Sequence, residues 1–410
     1  MNNVSKVSTE TCTGCNACLQ VCPKCCIGHK MIDGFWYPNI DTEKCIECGL
    51  CLKVCPAASS LPQRTPMSCY VGYNNDTEVR LKSSSGGIFM ELAKYTLSKG
   101  GVVFGAVFDS NWNVIHRVAT TIEEVVPMLG SKYLQCDTKN TFAECKKILN
   151  KGLPVLYSGT PCQIEGLHKF LHKDYENLFT MDFICHGVPS PGIWQSYLHE
   201  KFKNFAAVKA ADGKNTVLNS SLNTTSPIGD IKFRDKTDGW EKFRFVVLGK
   251  SASKADQNSV LLSDIYSDNP YMRGFLNDLY LRESCYHCPA RSFSSKSDIT
   301  IGDFWGVHKL NMDDMNDQKG LSIITVNSLN GKHLFDSISN SLNFREITFV
   351  QAIESNPNLL HIAKKNQKKI NKFKSQLQVM SFEKAIETVL HVSFMDKLLL
   401  KVKYKLGLVK

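Results

Sequence analysis

The 410-residue chain has no run of about 18 uninterrupted apolar residues, the length a helix needs to cross a membrane. Its opening, MNNVSKVSTETC, offers neither an apolar core nor a small-residue cleavage site, so the expected address is the cytoplasm and neither export nor membrane spanning is expected. Arginine is missing from Lys364 to Lys410, where twelve lysines face only Glu383, Glu387 and Asp396. That stretch holds nearly all of the net charge of +10. Without guanidinium forks and with few aromatics it does not read as a nucleic-acid surface. A hydrophobic share of 43% is that of an ordinary globular protein, long enough for two or three domains with cores of their own.

Cysteine is what the chain has in quantity: 17 residues. In a reducing compartment clustered thiols hold metal more often than they pair as disulfides. CTGCNACLQVCP (Cys12 to Pro23) and CIECGLCLKVCP (Cys45 to Pro56) each have the form C-x2-C-x2-C-x3-C-P. Three close cysteines let a short loop wrap three corners of a cubane cluster while backbone N–H groups point at the sulfides, and the fourth cysteine of each run serves the other cluster. This assigns Cys12, Cys15, Cys18 and Cys55 to one 4Fe-4S centre, and Cys45, Cys48, Cys51 and Cys22 to a second. Zinc knuckles pair C-x2-C with a second pair a dozen or more residues on and do not repeat this pattern. Cys25 and Cys26 fall outside it and read as packing thiols or neighbours of the ligands. A cluster moves single electrons and cannot take a hydride, so the rest of the chain is either the electrons' destination or their docking platform.

The chain divides into a two-cluster head (1–60), a small α/β unit (68–150), a larger α/β domain (151–345) and a basic helical tail (346–410). In the head, IGHKMIDGFWYPNI reads as a hairpin turning at Asp33-Gly34, and AASSLPQRTP as a linker. Ile88 to Lys99 has helical spacing, VVFGAVFD and NVIHRVAT flank a turn as paired strands, and Thr121 with Glu124 starts a short helix. LPVLYSG, a helix from Thr160-Pro161 to about His172, LFTMDFI and a helix near Ser190-Pro191 form a strand-helix-strand-helix series, which predicts a mostly parallel sheet. The polar stretch from Ala206 to Asp230 reads as an insertion. IKFRD and EKFRFVVLG read as a hairpin, and SDITIGDFWG and LSIITVNS as further strands.

Four more cysteines stand out: Cys162 in GTPCQIEGL, Cys185 in ICHGVPSPGIW, and Cys285 and Cys288 in CYHC. The first two lie where strands give way to helix or loop, the usual place for a site in an open α/β sheet. Spacing alone leaves a third cluster, a zinc site and buried core thiols all open. The segments SSSGGIF, GSKYLQ, YSGTPCQIEGL, DFICHGVPSPGIW, IKFRDKTDGW and SDITIGDFWG, in this order behind the head, resemble the factor-420 (deazaflavin coenzyme) hydrogenase/dehydrogenase beta-subunit family over roughly residues 1–330. The resemblance implies a third 4Fe-4S cluster on Cys162, Cys185, Cys285 and Cys288, and FAD, with FMN as the alternative, between the small unit and the larger domain. It further implies flavin contacts from Ser85, Gly86, Gly87, Ser131, Lys132, Tyr133, Thr160 and Asp303. On its own, SSSGG is either a phosphate cradle at a helix start or a plain capping turn. Lys132 is either a cation for phosphate or reduced flavin, or a solvated lysine. His186 is a candidate proton donor, against the commoner structural hydrogen bond. Trp305 either shapes a loop over the site or is core.

These readings together predict an α+β and α/β iron–sulfur flavoprotein oxidoreductase. It would pass electrons from ferredoxin or another low-potential donor through 4Fe-4S clusters to FAD and on to an organic hydride acceptor. The alternative is an electron-transfer subunit of a larger redox complex with no small-molecule substrate of its own. Phe394, Leu398, Leu399, Val402, Leu406 and Val409 fall on one helical face, which suits an anionic membrane surface or an acidic partner, or a helix packed on its own domain.

Overall fold

The structure, a computed structural model, describes residues 2–59, 61–207, 227–250 and 259–391. Within the head the sequence repeat is also a repeat of backbone. Asn16 and Gly49, each following the second cysteine of its run, take the left-handed conformation (φ 64° and 75°) and open the short helices Ala17–Val21 and Leu50–Lys53. The antiparallel strands Ile27–Ile32 and Phe35–Ile40 form the expected hairpin. Its two turn residues, Asp33 and Gly34, both have positive φ, as a tight two-residue turn matching strand twist requires.

A nine-stranded sheet forms the body. Across it the strands run Leu342–Ile347, Ser68–Asn74, Ser322–Val326, Ile299–Asp303, Leu178–Phe183, Val155–Gly159, Val102–Phe108, Val114–Ala119 and Cys136–Asp137. Central pairs are parallel, joined through the helix Pro161–Leu171, while the strands from Ile299–Asp303 outward to Leu342–Ile347 are antiparallel. VVFGAVFD and NVIHRVAT pair as expected. Strands from both sides of residue 150 share this sheet.

Alternation along the strands feeds two apolar layers. Val103 and Leu156 pack under the helices Ile88–Ser98 and Leu329–Ile338, whereas Val102, Phe104, Val155 and Tyr157 pack under Thr141–Leu149 and Pro161–Leu171. Cys15, Ala17 and Val54 of the head join the second layer, which seats the head on the body. At the hairpin tip Gly34 O accepts from Gly192 N and Ser190 Oγ, both at 2.9 Å.

A second, three-stranded antiparallel sheet contains the expected pair, Ile228–Asp235 and Arg244–Gly249, with Val260–Ile265 added. It packs on Pro191–Ala207 and Pro270–Leu276 through an aromatic cluster that includes Trp194, Tyr197, Phe233, Phe245 and Tyr271. The helices Gln367–Leu377 and Phe382–Leu390 close the same core with Phe373, Phe382 and Ile386, so this part of the basic segment is a packed element. Phe394 to Val409 and most of the Ala206 to Asp230 stretch lie outside the described residues; within that stretch Ala206 and Ala207 end a helix and Ile228–Asp235 is strand. Among the described residues no helix is long and apolar enough to cross a membrane.

Candidate functional site

In the head, Cys22, Cys45, Cys48 and Cys51 ring a small void together with Cys26, whose Sγ lies 3.4 Å from that of Cys22. The fourth cysteine of the first run thus joins the first three of the second. Cys12, Cys15, Cys18 and Cys55 crowd one another in the same way. Burial first, then Cys55 and Cys12, push the Cys15 thiol up to about 12. Burial followed by Cys15, Cys12 and Cys55 raises Cys18 well above the usual thiol range as well. Thiols held this close resist ionising one by one and become thiolates when a metal takes the charge. Donors already face the sulfurs: Val4 N to Cys51 Sγ at 3.2 Å and Asn3 Nδ2 to Cys45 Sγ at 3.6 Å. Among the described residues no three acidic, histidine or cysteine side chains meet at one point fit for a single ion. Thiols standing around a void suit a body with several iron corners.

The four later cysteines come from three places in the chain and reach one spot. Cys162 sits in the first turn of Pro161–Leu171, Cys185 just beyond Leu178–Phe183, and Cys285 and Cys288 on and after the turn Glu283–His287. Burial, then Cys288, Cys185 and Cys285, drive Cys162 well above the usual thiol range, while burial with its thiol neighbours pushes Cys185 up to about 11 and Cys285 to about 12. Val188 N donates to Cys285 Sγ at 3.4 Å, and Thr160 Oγ1 lies 3.2 Å from Cys162 Sγ.

Beside this group, at the carboxyl ends of the central strands, is a cavity of about 660 Å³. Cys185 and His186 belong to its wall, as do Ser85, Gly87, Ser131, Lys132, Tyr133, Thr160, Asp303 and Trp305. Gly86 stands behind the wall. Its N–H donates to Ser322 Oγ at 2.9 Å, and a Cβ there would lie 2.6 Å from Gly72 O, so it serves close packing of the loop on two strands. Gly87, at φ 83°, starts the helix Ile88–Ser98 with no side-chain cap, so the first-turn amides of that helix remain uncapped. Ser131 N donates to Ser84 Oγ at 2.6 Å and ties the two loops together.

Lys132 is caged by backbone. Its Nζ donates to Leu129 O and Gly130 O at 3.2 Å and reaches Met128 O at 3.5 Å, and burial pushes its pKa down to about 8. His186 Nε2 pairs with Asp278 Oδ1 at 2.7 Å. Trp305 is 42% exposed and stacks on Trp240 at 4.6 Å between centroids, so it covers the site and is not core.

Arg234, quoted in IKFRDKTDGW but given no role by the sequence, is the buried cation of the cavity. It pairs with Asp303, whose other oxygen accepts from Trp240 Nε1 at 3.2 Å, while among the described residues Arg234 Nε and Nη2 have no hydrogen-bond partner. Behind it, Lys236 Nζ donates to the carbonyls of Arg80, Ser85 and Lys319 at 2.7–2.8 Å and holds the serine loop in place. Two cations in one short strand-and-turn, with apolar residues alternating beside them, were the available signal.

Residues 11–59 match the 4Fe-4S dicluster domain. Residues 69–141 and 153–349 match the N-terminal and C-terminal models of the coenzyme F420 hydrogenase/dehydrogenase beta subunit. A solved structure of the F420-reducing NiFe hydrogenase complex from Methanosarcina barkeri is similar over 77% of this chain and 94% of that chain, at 17% identity and a TM-score of 0.46. No curated protein matches. The chain belongs to the coenzyme F420 hydrogenase/dehydrogenase beta-subunit family, as an iron–sulfur redox protein with a two-cluster head.

Proposed function

We propose that the chain is an iron–sulfur flavoprotein oxidoreductase. In this reading it accepts electrons from ferredoxin or another low-potential donor at the head, carries them through a third 4Fe-4S cluster to FAD, and reduces an organic acceptor by hydride transfer. One observation carries it: Cys185 belongs both to the third thiol group and to the wall of the large cavity. A ligand of that cluster would adjoin whatever fills the cavity.

The cavity residues fit a flavin. Ala106, Val114, Met128, Phe183, Phe243 and Phe275 supply an apolar wall for a ring system. The uncapped start of Ile88–Ser98, beside Ser83 to Ser85, suits a phosphate. The unpartnered Nε and Nη2 of Arg234 suit an electron-rich edge. Bound there, a flavin would take electrons singly from a cluster and release them in pairs. Asp303 orients Arg234, the Phe243 and Trp305 rings cover its guanidinium, and His186, paired with Asp278 through Nε2, would hold a proton on its ring.

Anaerobic purification tests the proposal. About twelve irons per chain and one flavin released on denaturation are expected. A zinc-rich, colourless preparation would overturn it. Iron without flavin, and no turnover with any small molecule, would leave the electron-transfer subunit.

A further inference from the structure

Arg282 has no exposed surface. A buried guanidinium needs counter-charge, yet its hydrogen bonds go to three uncharged oxygens and one sulfur. Nε donates to Cys12 O at 2.7 Å, and Nη1 to Trp36 O and Gln135 Oε1 at 3.0 Å each. Nη2 donates to Cys12 Sγ at 3.5 Å. The Tyr37 ring lies under the group, its centroid 4.0 Å from Arg282 Cζ. The cysteine loop is pressed onto it: a Cβ at Gly14, where φ is 72°, would stand 2.9 Å from Arg282 Cζ. The same residue reaches the third thiol group through its backbone, since its N donates to Val188 O and its O accepts from Cys285 N, both at 2.9 Å. In the outer head group, Cys51 accepts from Val4 N and Cys45 from Asn3 Nδ2, both neutral donors, and the lysine of that wall, Lys24, makes no side-chain hydrogen bond to a thiol among the described residues.

We propose that Arg282 raises the reduction potential of the inner head cluster, the one held by Cys12, Cys15, Cys18 and Cys55, and so draws electrons from the outer cluster toward the third thiol group. Reduction adds one negative charge to the cluster. A fixed cation bonded to a ligand sulfur in a dry site stabilises that form more than the oxidised one, since charge, hydrogen bonds to sulfur and burial set such potentials. The proposal rests on the two-cluster head and not on the flavin.

The test is equilibrium reduction of the full-length protein, followed by EPR at set potentials. R282Q, with iron content intact, should make the inner cluster at least about tenfold harder to reduce, about 59 mV for one electron, with the outer cluster unmoved. R282K keeps the charge and should shift less than half as far. An unchanged inner cluster in R282Q, or equal shifts in both clusters, overturns the proposal. If the variants lose iron, wild-type protein labelled with guanidino-15N arginine decides: pulsed EPR should detect 15N coupling to one reduced head cluster, and its absence in both refutes the contact.

Discussion

Arg234 and Asp303 come from different sheets, on Ile228–Asp235 and at the end of Ile299–Asp303, and their ion pair joins those sheets inside the cavity wall. In R234M the side-chain length is kept and the charge is lost, leaving Asp303 with the single donor Trp240 Nε1 at 3.2 Å. Breaking a buried pair from one side costs about 3–5 kcal/mol. Because Nε and Nη2 are already unpartnered, the wild-type pair is not fully compensated and the lower figure, about 3 kcal/mol, is expected. In R234M/D303N neither charge remains, and stability should return to within about 1 kcal/mol of wild type. The assay is urea unfolding of flavin-stripped protein by tryptophan fluorescence, run beside flavin retention on gel filtration. Loss of stability in the single variant, recovery in the double, and poor flavin retention in both are expected. If R234M unfolds at the wild-type midpoint, the pair is not structural. Should the double variant hold flavin normally, Arg234 is not a ligand and the reading of its two free donors fails.

Burial pushes His116, 2.8 Å from Tyr157 Oη, from 6.5 down to about 4. The unfolded chain therefore takes a proton below about 6.5 that the fold refuses until about 4, and stability falls as pH drops through that window, by up to about 3 kcal/mol. Denaturation of H116Q between pH 7 and 5 should show a shallower loss than wild type, and an identical slope would refute the assignment. Gly192→Val places a Cβ 2.7 Å from Gly34 Cα, a backbone contact that cannot yield. It should weaken head docking by about 1–3 kcal/mol, read as faster proteolysis of the linker 57–66, and wild-type resistance would contradict it. Cys285→Ala should remove about four irons per chain while the head's EPR signal persists; unchanged iron content would remove Cys285 from the ligand set.

What the sequence made legible was what local spacing encodes. The repeated cysteine runs, the Asp33-Gly34 hairpin and the Thr160-Pro161 helix start are each written in one short stretch of chain. Ser68–Asn74 was not read as a strand because its partners lie at Ser322–Val326 and Leu342–Ile347, beyond any local pattern. Arg234 sat in a strand where alternation assigns charge to solvent, and only the second sheet folding over the cavity buries it. Arg282 had no motif at all, since its partners Cys12, Trp36 and Gln135 are brought to it by the docking of the head. Lys132 was legible as a cation but not as one whose hydrogens are taken by three carbonyls of its own turn.

The position of Ser68–Asn74 also sets a timetable for biosynthesis. Both of its edges are filled by segments that leave the ribosome roughly 250 residues later, a delay on the order of ten seconds or more. The head, whose hairpin and ligands all fall within the first 59 residues, has every group it needs long before the body can close. Synthesis of the head's ligands and completion of the sheet are thus separated in time, and the last thiols to arrive, Cys285 and Cys288, come with the strands that seal it.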